Sequence, residues 1–112
     1  MKRGDIFLVD LNPVMGTEQA GIRPALVIQI DRANVTSPHT IIIPFTTRIR
    51  ETALPSHVKI PAGISGLTQD SIILCEQIRV IDKRRLVRSI GNIGEENLRK
   101  VDAATKLILG LE

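Results

Sequence analysis

Three polar clusters interrupt the apolar stretches of this chain, and each carries side chains able to act on a phosphodiester. The first is Gly16-Thr17-Glu18-Gln19-Ala20-Gly21-Ile22-Arg23-Pro24. Its glycines free the backbone to turn or to approach a ligand closely. Glu18 and Gln19 can read the hydrogen-bonding edges of bases, and Arg23 offers a planar fork to a phosphate. A solvated loop with Arg23 paired to Glu18 fits the same residues. The stretch is not a P-loop, because the Gly-Lys-Ser/Thr ending is missing and no helix is expected to follow.

The second cluster is Pro44-Phe45-Thr46-Thr47-Arg48 at a strand end. A threonine hydroxyl both donates and accepts, so Thr46 can hold a phosphate oxygen or orient a 2′-hydroxyl, although routine strand threonine is the plainer reading. The third is Glu76-Gln77-Ile78-Arg79, directly after the apolar run SIILC. An acid following a buried strand can serve as a general base, and Glu76 is the candidate. A strand end emerging into solvent is the alternative. Cys75 reads as a small core residue. His39 and His57 stand far apart with no metal-ligand spacing, so no metal site is expected, and His57 in PSHVKI reads as a surface strand residue.

The elements that must carry these clusters are mostly strands. Asp5–Leu11 is nearly all apolar and predicts a strand buried on both faces. A long loop follows to Pro24. Ala25–Ile30 predicts a second strand, Asp31–His39 a turn region, and Thr40–Phe45 a third strand, where Pro44 suits a strand end or sheet edge. Ser56–Ile60 alternates as a half-exposed strand, PAGISGL is turn-rich, Ser71–Leu74 starts another strand, and Leu86–Ile90 a last short one. From Glu95 the period changes. Leu98, Val101, Ala104, Thr105, Ile108 and Leu111 fall on one helical face, with Glu95 and Glu96 favouring the dipole of the first turn and Gly110 ending the helix. A barrel-like sheet with one terminal helix is the simplest packing, since closure removes exposed edges.

With 112 residues, 43% of them apolar, the chain suits one domain over 1–112 with one core. Net charge is +3, which permits polyanion binding without demanding it. Between 76 and 88, Arg79, Lys83, Arg84, Arg85 and Arg88 oppose only Glu76 and Asp82; a solvated basic face and a phosphate-binding face both fit. One cysteine excludes a disulfide framework. No apolar stretch reaches the ~20 residues of a membrane span and no leader segment is evident, so a cytoplasmic location is expected.

In combination the clusters carry more than they do singly. RGDIFLVDLNPVMGTEQAGIRPALVIQ, then PFTT at 44–47, LPSHVKI at 54–60 and GLTQDSIILCEQIRVIDKRRL at 66–86 resemble, in order, the motifs of MazF/PemK-type toxins. The resemblance implies a small SH3-like (CcdB/PemK-type) β-barrel with a C-terminal helix. It implies a homodimer that cuts single-stranded RNA sequence-selectively without metal or cofactor, held in check by a cognate antitoxin protein. Carried over by motif, Arg23 and Thr46 form the catalytic pair and Glu76 matches an acid used by some members. Glu18, Gln19 and Gln77 fall on RNA-contacting positions, and Arg79 is grouped with them. Two positions depart from some relatives: Thr17 where they carry histidine, and Leu74 where they carry arginine. The expected reaction is attack of a ribose 2′-hydroxyl on the adjacent phosphorus, giving a 2′,3′-cyclic phosphate and a free 5′-hydroxyl. The rival expectations are a CcdB-like toxin that inhibits DNA gyrase through protein contacts and a plain SH3-like interaction module. Base choice is expected to rest on the loops around 12–22 and 47–56.

Overall fold

Near-continuous apolar runs give strands that can be buried on both faces, and the centre of the sheet is built around that property. The computed structural model describes residues 1–48 and 54–111. In chain order the elements are β1 (Asp5–Asp10), β2 (Ile22–Val27), α1 (Asp31–Thr36), β3 (His39–Thr46), β4 (His57–Ile60), β5 (Ser71–Leu74), β6 (Arg79–Asp82), β7 (Leu86–Asn92) and α2 (Glu95–Leu109), with 3₁₀ turns at Cys75–Gln77 and Lys83–Arg85. The strand order is β4-β5-β3-β2-β1-β7, with β6 also paired to β3, and every pairing is antiparallel.

On one face Ile6, Leu26, Ile43, Phe45 and Ile73 pack with Val101 and Ala104 of α2. On the other, Val9, Ala25, Val27 and Ile42 pack with Leu11 and Ile81. Strands β2 and β3 are therefore buried on both sides. β1 is so only at Ile6 and Val9, its remaining residues being half-buried. Cys75 is fully buried, as its apolar run requires. Helix α2 buries Val101 and Ala104 and stops at Gly110 in the left-handed conformation, where glycine pays no steric penalty.

Five features differ from the sequence expectation. The second strand runs Ile22–Val27 rather than Ala25–Ile30. Pro24 is tolerated because β3 pairs with β2 only from Ala25 onward, which leaves that edge of Pro24 without a ladder to break. Residues 31–36 form a short helix rather than a turn. It has no apolar period to announce it. It is pinned instead by buried Asn34, whose amide donates to the Gln29 carbonyl at 2.9 Å and whose oxygen accepts from Thr40 at 2.7 Å and Gln29 at 3.0 Å. Strand β6 was not foreseen, and β7 runs two residues beyond Ile90.

Finally, the ladder does not close as a barrel: β4 and β7 are its two ends. The 61–70 segment, which joins β4 to β5, meets the last part of β7 backbone to backbone and forms a seam there. A methyl group at Gly66 would stand 1.9 Å from the Ile90 carbonyl oxygen, and one at Gly91 2.2 Å from that of Ser65. Both positions admit only glycine without movement of the chain.

The edge of β3 sets up the site. Its first half, His39–Ile42, pairs with β6, and its last two residues, Phe45 and Thr46, pair with β5. Pro44 falls in the gap between these partners, where a missing N–H costs no ladder bond. The chain crosses the same gap as the 3₁₀ turn Cys75–Gln77, between β5 and β6. Thr46, Glu76 and Gln77 are thereby delivered to one end of the sheet.

Candidate active site

Arg23 lies near the start of β2, opposite Val9, and Thr46 is the last residue of β3. The two strands are hydrogen-bonded neighbours, so the residues reach the same end of the sheet from separate strands. They open on a cavity of about 1000 Å³ whose wall also includes Glu18, Gln19, Arg48, His57, Glu76 and Gln77. The Arg23 Nε donates to the Ala20 carbonyl at 2.7 Å, which aims the guanidinium; among the described residues its two terminal nitrogens have no hydrogen-bond partner. Among the described residues no carboxylate pairs with Arg23, and the pairing with Glu18 that the sequence also allowed is not formed. Thr46 is 9% exposed, and its hydroxyl oxygen accepts from the Arg48 backbone N–H at 3.2 Å.

The loop joining β1 to β2 forms one wall; Leu11 and Val14 anchor its first half in the apolar cluster, and polar contacts hold the rest. Leu11 N–H donates to the Gly21 carbonyl at 3.0 Å, closing the loop at its base. Gly21 has φ +79°, a turn that a residue with a side chain would strain. At the far side Gln77 spans from the 3₁₀ turn. Its Oε1 accepts from the Gln19 N–H at 3.0 Å and its Nε2 faces the Thr17 carbonyl at 3.4 Å. Glu18 turns one oxygen back onto the Met15 N–H at 2.5 Å. Two arginines fasten the loop's first residues from outside, Arg79 on the Leu11 carbonyl at 3.4 Å and Arg85 on the carbonyls of Asp10, at 3.2 Å, and Asn12.

The structure thus brings six of the seven sequence-nominated residues, Arg23, Thr46, Glu76, Glu18, Gln19 and Gln77, onto one cavity. Arg79 is the exception. It lines an adjoining hollow of about 510 Å³ that shares Thr17, Glu18, Gln19, Glu76 and Gln77 with the cavity. The basic run 83–88 is likewise divided: Arg84 is spent on Asp82, whose carboxyl that bonded guanidinium holds down at about 2. Thr17 and Leu74, the two departures named in the sequence analysis, both lie on the cavity wall and bring no ionisable group to it. Cys75 sits behind the wall, and burial pushes its thiol up from the ordinary value, which suits a core residue and not a nucleophile. Of the two loops expected to choose bases, residues 49–53 lie outside the described residues.

One residue was misplaced by sequence reasoning. His57 is not a surface residue: its side chain is 8% exposed, lies on the cavity wall and meets Glu76, with Nε2 3.1 Å from Oε2. The alternation of SHVKI places Val58 and Ile60 inside and His57 on the opposite face, correctly, but that face is lined by the 3₁₀ turn and not by water. Nothing in a single strand's pattern reveals a partner nineteen residues away.

The model for PemK-like, MazF-like toxins of type II toxin–antitoxin systems matches residues 2–109. Endoribonuclease EndoA of Bacillus subtilis (strain 168) is 48% identical over 111 residues, covering 99% of this chain and 96% of that protein. Among solved structures, MazF from Deinococcus radiodurans superposes with a TM-score of 0.86 at 25% identity, covering 99% of this chain and 97% of that one. An endoribonuclease in complex with its cognate antitoxin from Mycobacterial species superposes at 0.83, with 20% identity over 100% and 97% of the two chains.

Proposed function

Because the chain belongs to the family of PemK-like, MazF-like toxins of type II toxin–antitoxin systems, we propose that it is a sequence-selective endoribonuclease that cuts single-stranded RNA without a metal ion. It acts as a homodimer of one toxin domain over residues 1–112, located in the cytoplasm, and a cognate antitoxin protein holds it in check. No helix among the described residues is long and apolar enough to cross a membrane. The observation that carries this reading is the opening of Arg23, Thr46 and Glu76, from β2, β3 and the 3₁₀ turn, on one cavity.

In that cavity the substrate supplies its own nucleophile. The 2′-oxygen bonds to phosphorus, the bond from phosphorus to the 5′-oxygen breaks, and a 2′,3′-cyclic phosphate and a 5′-hydroxyl result. Arg23 stays cationic throughout and offsets the charge that builds on the phosphorane oxygens, a role commonly worth about 3–4 kcal/mol per donor. The Thr46 hydroxyl holds a non-bridging oxygen or the attacking 2′-hydroxyl. An always-charged guanidinium cannot take a proton, so the 2′-hydroxyl proton goes to the Glu76 carboxylate, and water protonates the departing 5′-oxygen. Glu18, Gln19 and Gln77 face the bases, and Arg79 serves RNA only from the adjoining hollow. The gyrase-inhibiting alternative is not favoured, since the family match and the 48% identical endoribonuclease both point to RNA.

The test is a defined single-stranded RNA incubated with the chain in EDTA. Cleavage that leaves 5′-hydroxyl ends at a repeated short sequence is expected. Intact RNA together with inhibited gyrase would overturn the proposal.

A further inference from the structure

The Glu76 carboxylate is held at both oxygens by two consecutive residues, Ser56 in the turn before β4 and His57 at the start of β4. Cys75 N–H donates to the Ser56 carbonyl at 3.1 Å, and His57 stands opposite Leu74 in the β4–β5 ladder. These two contacts bring Ser56 and His57 alongside the residue that follows Cys75. Ser56 Oγ donates to Glu76 Oε1 at 2.9 Å, and His57 Nε2 is 3.1 Å from Oε2. Ser56 is 1% exposed and the His57 side chain 8%, whereas the Glu76 side chain is 25% exposed and faces the cavity.

The state of the imidazole follows from its other nitrogen. Nδ1 accepts the Leu54 backbone N–H at 3.3 Å, so the neutral ring carries its proton on Nε2 and donates it to the carboxylate. With both nitrogens engaged, His57 has no lone pair left for substrate. Its influence on RNA cleavage passes through Glu76. A carboxylate with one donor on each oxygen cannot rotate about its last torsion, and its remaining lone pairs keep a fixed direction. A base aligned in this way avoids the loss of rate that follows misplacement by even an ångström.

We propose that Ser56 and His57 are positioning residues that orient the Glu76 carboxylate toward the ribose 2′-hydroxyl; this rests on the reading of Glu76 as the proton acceptor. Removing the donor costs turnover and not binding, and an amide that restores the donor restores the rate. His57→Ala is expected to lower kcat by about 10- to 100-fold, part of what a general base contributes, with KM within about twofold. His57→Gln, whose amide nitrogen reaches the place of Nε2, is expected to recover most of that loss, and Ser56→Ala to lower kcat less than His57→Ala. On a Glu76→Gln background, His57→Ala should cost nothing further, because residues that act as a unit are non-additive.

Long-range ¹H–¹⁵N NMR of the unaltered protein supplies a readout independent of turnover, with the Nε2–H form expected. Full additivity on the Glu76→Gln background, a His57→Gln as slow as His57→Ala, an Nδ1–H ring, or wild-type turnover in His57→Ala would each overturn the positioning role while leaving the nuclease in place. An unaltered chain that cuts no RNA would overturn both readings.

Discussion

Phe45 and Thr46 are neighbours on β3, yet they belong to regions built on different physics. Phe45 is 1% exposed and lies in the apolar cluster that α2 covers. Thr46 points to the other face and opens on the cavity. On the helix side, cohesion comes from aliphatic area removed from water, which is non-directional and large in sum. On the cavity side the second half of a loop is held by a few hydrogen bonds to carbonyls and amides, each worth about 0.5–1.5 kcal/mol net. The first region sets whether the chain folds, and the second sets what the folded chain does. Changes confined to one should leave the other's observable nearly untouched.

The sharpest way to break that division is Phe45→Ala. Emptying a buried aromatic site should cost about 3–5 kcal/mol of stability, read from urea denaturation, with activity lost only as the folded fraction falls. Arg23→Ala should do the reverse: cleavage falls by about a hundredfold or more, and the denaturation midpoint stays where it was. Gly91→Ala tests the seam, where a methyl would stand 2.2 Å from the Ser65 carbonyl oxygen. About 1–3 kcal/mol of stability should be lost, with the rate constant of the remaining folded protein unchanged. Gln77→Ala frees the loop from the 3₁₀ turn and should raise KM by about tenfold or less, with a stability loss of about 1–2 kcal/mol.

The smallest effect belongs to Asp82, which accepts from the Arg84 backbone at 2.8 Å and from its guanidinium at 3.0 Å. Its carboxyl is lowered from 3.8 to about 2 on folding, so its charge contributes stability above the ordinary value. That contribution is lost as pH falls through about 2. The difference in denaturation midpoint between the protein and Asp82→Asn should be slight at pH 7 and should shrink from pH 4 towards pH 2.

How much could be read from residues alone divides along the same line. Strands and helix were legible where apolar residues repeat: β3 and α2 follow their periods almost to the residue. The candidates Arg23, Thr46 and Glu76 come from the resemblance to the MazF/PemK motifs, because each cluster by itself also fits a plain structural role. Short elements held by polar contacts were not legible. Helix α1 depends on Asn34 bonding Gln29 and Thr40, and β6 carries two polar ends in four residues. His57 faced the direction its strand period assigns, but only the register between β4 and β5 shows that Glu76 waits there. Closure of the ladder, expected on general grounds, gives way to a glycine-to-backbone contact that no period encodes.

The central claim is that a guanidinium and a threonine hydroxyl from neighbouring strands act on one phosphodiester in a cavity whose polar residues are dispensable for folding. It is tested most directly by single-turnover cleavage of a defined single-stranded RNA in EDTA, comparing the unaltered chain with Arg23→Ala and Thr46→Val at equal folded concentration. The expected result is 5′-hydroxyl products from the unaltered chain, with both variants slowed by about tenfold or more at unchanged denaturation midpoints. Cleavage by both variants at the unaltered rate would contradict it.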